Sequence, residues 1–445
     1  MLKLAFLLIG AHAFRTRRYA VMVAGVVLML VALAMAAGVS EGLTHAATLA
    51  LGLVLSGGGA IALPMAAATA GVAARRFALA RAVAALSAGG LLMAFPWVGG
   101  WTLALPLALI LLADGANRLA AALVFRVRGW VYLVGLGAAE MATGAMLVTE
   151  WPWSAVRNLP VCIAIFIGLS GWLLLRLGML LGDLEDEAAI LNLPIFSSRG
   201  WYEHAPVLVG DDPAPVARHE RPLTVRVWTP VASAAAPADR RVVIDRYVAA
   251  VDRNGTVSTG HSALELGSEL YISHYPGVEM DRSSVDFVTA LRSGAENNIP
   301  GRFLPDYATE SAQWCPADAR VDLWNYDRRR LLAFWAGYRQ DSTYNLTNRN
   351  CSVVVAAALD AALEGRLATP HPWWRLLRLL MDPDLWAAAL IRSRANAMSW
   401  TPGFVLDYAA ALSRMVDRPS RSWSEGLESL RGWFKSAIRG RQASR

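Results

Sequence analysis

From Tyr19 to Leu181 the chain alternates long apolar runs with short breaks, and the runs predict membrane-crossing helices over 19–37, 44–63, 77–95, 100–117, 130–148 and 159–181. The physical reason is length, since a helix needs about 20 consecutive apolar residues to cross a hydrocarbon core. After Gly182 the pattern changes: apolar residues come in strand-length runs or recur at helical spacing among charges. The spans are therefore followed by a soluble α+β domain.

The six predicted spans repeat in pairs. A basic-aromatic start occurs at Arg17-Arg18-Tyr19, Arg75-Arg76-Phe77 and Arg128-Gly129-Trp130, at spacings of 58 and 53. Breakers follow at Gly38-Val39-Ser40, Phe95-Pro96-Trp97 and Trp151-Pro152-Trp153. Each unit reads as a helical hairpin. Lys3, Arg15, Arg17, Arg18, Arg75, Arg76, Arg81, Arg118, Arg126, Arg128 and Arg176 lie at the hairpin bases, against Arg157 alone at a tip. By the positive-inside rule the bases, and both termini, are cytoplasmic. Asp114 and Glu140 are the acids deepest in apolar surroundings: Asp114 reads as solvated or capping, and Glu140, in mid-helix, reads first as structural, with a pairing or relay role as the alternative. Nothing reads as a broken-helix transport site. The three-hairpin pattern over about residues 15 to 182, with Pro-Trp at two tips, resembles the HdeD family of bacterial membrane proteins. That resemblance implies a six-helix bundle in the bacterial inner membrane and a link to acid stress.

Charge follows the same division, with residues 1–190 holding 12 of the 42 Lys+Arg and 8 of the 35 Asp+Glu. The net charge of +7 raises nucleic acid as a partner, but no basic run interleaved with aromatics occurs outside 431–445, which reads as a solvated or lipid-facing tail. The expected partner is the bilayer, with no nucleic acid. Cys162, Cys315 and Cys351 are too scattered for a disulfide framework, no CxxC pair suggests zinc, and no cofactor is expected. The opening MLKLAFLLIGAHA has the short apolar core and A-x-A-like end of a signal peptide. Because RTRR and a full span follow, residues 1–18 are read as an uncleaved interfacial segment before the 19–182 membrane domain.

A Pro-rich linker over 183–239, opening on Asp183-Leu184-Glu185-Asp186-Glu187, is predicted to hold one strand, Leu223 to Pro230. The domain proper, 240–366, begins with strand-like runs Arg241–Val251, Val257–Leu266 and Glu269–Tyr275, parted by Asn254-Gly255 and Gly267-Ser268. A two-residue turn at 267–268 places His261 and His274 side by side on neighbouring strands. A lone histidine on a strand is usually structural; the pair gains meaning from a nucleophile. Cys351, in Tyr344-Asn345-Leu346-Thr347-Asn348-Arg349-Asn350-Cys351, opens a short apolar helix that Gly365 ends. Helix N-terminal amides stabilise a thiolate and offer N–H groups to an oxyanion. The bland alternative is a buried structural cysteine, as Cys315 in Trp314-Cys315-Pro316 is read. The 367–445 extension contains a Trp-, Leu- and Arg-rich stretch, His371 to Arg392, that fits an amphipathic helix pair packed either on the core or on lipid.

The order His261, His274, Asn350-Cys351 resembles the circularly permuted papain-like branch of the NlpC superfamily, which includes lecithin retinol acyltransferase-like and PPPDE-type domains. The resemblance covers roughly residues 240 to 366. It implies Cys351 as nucleophile, His261 as general base and acid, and His274 as the residue that orients the imidazole, with Asn350 and Tyr344 in support. The expected activity is that of a membrane-anchored peptidase or amidase. An acyltransferase using lipid acyl groups and a non-catalytic membrane stress protein remain open alternatives.

Overall fold

In the computed structural model the chain is largely helical, with a small sheet region in its C-terminal half. The structure describes 1–38 save 11, 12, 15 and 16; scattered helical positions between 46 and 94; 101–183 save 128; 219–229; 250–278 save 252–256 and 259; and 289–418. Most of the second and third predicted spans, the tips at 39–40 and 95–97, the linker over 184–218, most of the predicted 241–251 strand and the 431–445 tail lie outside the described residues.

Helices α1 (Leu2–Ile9), α2 (Arg18–Ala36), α3 (Trp101–Phe125), α4 (Trp130–Thr149) and α5 (Ala155–Asp183) precede the first strand. Among the described residues three stretches, α2, α4 and Pro160–Leu181 of α5, are long and apolar enough to cross a membrane. The predicted hairpin of 130–148 with 159–181 is not a tight pair: α4 packs mainly along α3, and α5 along α2. Small residues decide this. A Cβ added to Gly25 of α2 would lie 2.6 Å from the Leu175 nitrogen, one on Gly171 of α5 2.6 Å from the Gly25 oxygen, and one on Gly137 of α4 3.0 Å from the Gly115 oxygen. Helical positions Gly52 and Gly89 approach each other in the same way. Lipid offers no hydrophobic drive to helix association, so spans gather where backbones can touch. Each close pair joins the second span of one predicted hairpin to the first of another.

The C-terminal half is built around α8 (Cys351–Leu363), whose thirteen residues are all buried. A helix apolar on every side must be covered on every side. One cover is an antiparallel sheet of β1 (Leu223–Trp228), β4 (His261–Leu266), β5 (Leu270–Ile272) and β8 (Ala319–Leu323), in the order β5-β4-β1-β8. Between these come β2 (Ala250–Val251) with β3 (Val257–Ser258), and β6 (His274–Pro276) with β7 (Gly301–Phe303). The strand predicted inside the linker is thus an inner strand of the sheet, paired on both sides, so the folded unit extends upstream of residue 240. Helices α6 (Tyr307–Gln313), α7 (Arg328–Tyr338), α9 (Pro372–Leu380), α10 (Pro383–Ala397) and α11 (Pro402–Val416) complete it.

Another cover corrects the reading of residues 1–18 as interfacial. Leu4 to Ile9 of α1 are buried in the same core as α8, β1 and β4. Gly365 N–H donates to the Leu7 carbonyl at 3.0 Å and Leu367 N–H to Leu8 at 2.8 Å. Gly10, at φ +90°, lies so close to Gly365 that a Cβ would sit 2.9 Å from its Cα. A fully buried large apolar side chain contributes about 1.5–3 kcal/mol, so α1 stabilises the core on the order of 10 kcal/mol. Val21 of α2 and Leu174, Leu177 and Leu181 of α5 join this cluster, which fastens the membrane helices to the C-terminal half.

Candidate active site

The turn between β4 and β5 sets which histidine faces the centre of the site. It spans three residues, 267–269, with Gly267 at φ +52° and Glu269 N–H donating to the Leu266 carbonyl at 3.0 Å. The resulting register pairs Leu264 with Ile272 and Leu266 with Leu270. Continued outward, it sets Tyr275 opposite His261, and His274 opposite Ser262 on the other face. A one-residue change in turn length swaps the face of every downstream side chain. The His261 ring accordingly stacks on Tyr275, with centroids 4.1 Å apart, and Trp228 lies 5.4 Å away on the adjoining strand.

Cys351 occupies the first position of α8, and Asn350 caps that helix: its Oδ1 accepts from Val353 N–H at 2.8 Å. The capping side chain is itself held, because Asn350 Nδ2 donates to the Leu346 carbonyl at 2.7 Å, to Ser399 Oγ at 3.1 Å and to the Trp400 carbonyl at 3.2 Å. The Cys351 thiol lies within hydrogen-bonding reach of the His261 imidazole. Burial pushes that thiol up, but the imidazolium, the Ser262 backbone and the Ser352 hydroxyl outweigh it and hold Cys351 below its usual range. Burial pushes His261 down, and the thiolate and Glu310 reverse this, raising it to about 9. The pair therefore favours thiolate and imidazolium.

Glu310, on α6, supplies the third member of the relay. Its Oε1 lies 3.1 Å from His261 Nε2, a nitrogen also 2.9 Å from Ser273 Oγ. The same carboxylate accepts from the hydroxyls of Tyr271 and Tyr275, the latter at 2.7 Å. Although burial disfavours its charge, these donors hold Glu310 below its ordinary value. Asp306 caps α6 through Thr309 N–H and fixes the helix that carries it. A carboxylate on the far nitrogen of an imidazole fixes tautomer and ring plane and stabilises the charged ring.

Sequence reasoning missed Glu310, since an acid on a seven-residue helix looks solvated. One signal was present: Tyr307, Glu310 and Trp314 recur at helical spacing, which puts the carboxylate on an aromatic face.

His274 does not take the orienting place assigned to it. Its Nε2 donates to the Ser342 carbonyl at 3.1 Å, and Nδ1 accepts from Tyr338 OH at 3.3 Å. Phe303, Tyr338 and Tyr344 surround the ring. Burial, helped by nearby Arg349, lowers it to about 4, so it stays neutral and packs as a core group. Tyr344 supports His274 rather than the thiol, while its backbone bridges Ile299. Cys315 lies apart, its carbonyl accepting from Trp228 Nε1 at 2.8 Å and its thiol raised by burial and Asp318. Among the described residues no cluster of His, Cys, Asp and Glu is arranged to hold a metal ion.

In α3 and α4, Asp114 and Glu140 share one partner: Arg118 donates to Asp114 at 2.9 Å and to Glu140 at 3.0 Å. A thiol, an imidazole and a carboxylate in relay at a helix start make up the machinery of a cysteine nucleophile. No protein-family model, curated protein or solved structure matches the chain, so function is argued from the geometry of this site.

Proposed function

We propose that the chain is a membrane-attached cysteine hydrolase acting on amide or ester carbonyls, in the manner of the permuted papain-like enzymes it resembles. The observation that carries the reading is the buried contact of Cys351 with His261, backed by Glu310. The Cys351 thiolate adds to the carbonyl carbon, and the first-turn N–H groups of Cys351 and Ser352 face the resulting oxyanion. His261 then delivers its proton to the leaving nitrogen or oxygen as that bond breaks, leaving a thioester. Water attacks the thioester, His261 takes the water's proton, and the carboxylic acid leaves as the thiolate re-forms. Glu310 positions His261 throughout. The positive-inside rule, applied to the hairpin-base arginines, supports a site on the cytoplasmic face of a bacterial inner membrane.

A second reading, transfer of a lipid acyl group instead of hydrolysis, is favoured by the exposed Trp374 and Leu390 on the helices beside the site. The test is labelling of intact membranes with a thiol-directed acylating probe. Wild type labels at Cys351 and the label turns over; Cys351→Ala abolishes labelling at that position and His261→Ala reduces it sharply. Equal labelling of wild type and His261→Ala contradicts the proposal.

A further inference from the structure

The helices that follow the site, α9 and α10, carry large apolar side chains outside the core as well as in it, among exposed arginines. Leu376, Leu379, Leu385 and Ala388 face the core. Facing outward, Trp374 is 64% exposed, Leu377 43%, Trp386 38% and Leu390 54%. Helices at a water-facing surface carry polar residues there; Trp and Leu mixed with Arg mark a membrane interface. Two contacts fix where this face lies. Trp373 of α9 packs edge-on against Phe14, just before α2 begins, with ring centroids 5.6 Å apart. Arg394, one turn beyond Leu390 on α10, reaches Asp114 of α3 at 3.9 Å. The two helices therefore lie beside the start of α2 and against α3. The indole N–H of Trp386 is satisfied internally, donating to the Leu380 carbonyl at 2.7 Å, so its ring can leave water without stranding a donor. Arg378, exposed on α9, offers charge to anionic headgroups.

We propose that the outward face of α9 and α10 is seated in the lipid leaflet adjoining the C-terminal half. Resting on the hydrolase reading, the seat also sets the site against the bilayer: Arg392 of α10 is paired with Asp360 of α8 at 2.7 Å, and Ser399 and Trp400, just past α10, hold the Asn350 cap. Carbonyls of membrane-attached molecules are then the substrates closest to Cys351.

The location is tested without turnover, in full-length protein with its three native cysteines replaced, in vesicles of phosphatidylethanolamine and phosphatidylglycerol. Single cysteines at 374, 377, 386 and 390 carry an environment-sensitive fluorophore, and position 320, on β8, serves as the aqueous reference. The expected result is blue-shifted emission at the four helix positions, lost on adding shallow-doxyl lipid and insensitive to aqueous cobalt, with the reverse at 320. Quenching by cobalt at the four positions, or protection from both quenchers as a protein partner would give, overturns the proposal. Because Cys351 is absent, neither outcome depends on catalysis.

Discussion

In α3 and α4, Arg118 stands between Asp114 and Glu140; in the C-terminal half, His261 stands between Cys351 and Glu310. The two clusters share a plan, a cation bridging two acids from different elements, and differ in whether the cation can give up its proton. A guanidinium keeps its proton at any physiological pH, so the first cluster is a fastening between helices. An imidazole titrates within reach of neutrality, so the second can pass a proton between a nucleophile and a leaving group. On the proposed reading, the difference lies in the identity of the bridging cation rather than in burial of charge as such.

Replacing Arg118 by Leu should have the largest effect on stability and little on the thiol. Glu140 loses the cation it pairs with while Asp114 keeps only the longer contact with Arg394, at a cost of about 1–3 kcal/mol. Thermal unfolding in detergent should fall accordingly, with partial recovery for Arg118→Lys, while the Cys351 titration stays where it was. A shift in that titration would show the clusters to be coupled.

Glu310→Gln should lower kcat on the order of 10²-fold while KM changes little. Its sign with pH follows from the two shifts. Wild-type turnover falls at low pH as Cys351 gains a proton, and at high pH, near about 9, as His261 loses its own. Removing Glu310 takes away a group that raises His261, so the basic limb moves to lower pH. With less imidazolium beside it, Cys351 moves up, and the profile narrows from both sides. An unchanged profile would reduce Glu310 to a packing residue.

His274→Ala is expected to do the least to the chemistry. It opens space among Phe303, Tyr338 and Tyr344, costing about 1–3 kcal/mol in stability, and leaves both limbs of the pH profile in place. A loss of turnover comparable to that of His261→Ala would restore it to the site.

Sequence reading located the apolar runs and the α8 start, because each rests on local periodicity or capping, whereas the pairing of His261 with Cys351 was implied only by the resemblance to the permuted papain-like domains. Asn350 before an apolar run is a helix start wherever it occurs. What it missed depends on distant partners or on one residue of register. Gly267-Ser268 looks like a two-residue turn, and the third residue, Glu269, turns His274 away from His261. Leu2–Ile9 has the composition of an interfacial segment, and only the apolar girdle of α8 calls it into the core. The helix pairs were equally illegible, since glycines and alanines are spread through every span and the close approaches of Gly25 to Gly171, Gly115 to Gly137 and Gly52 to Gly89 select partners.

The most direct test of this account is the alkylation rate of Cys351 against pH, with Cys315 as internal reference, in wild type and His261→Ala. A thiolate–imidazolium pair predicts that Cys351 reacts with a midpoint well below that of an ordinary thiol, about 8.5. Cys315, raised by burial and Asp318, titrates above it. In His261→Ala burial acts on Cys351 unopposed by the imidazolium, and its midpoint should rise above the ordinary value. A Cys351 midpoint near 8.5 that His261→Ala leaves unmoved would contradict the pairing on which the proposed chemistry depends.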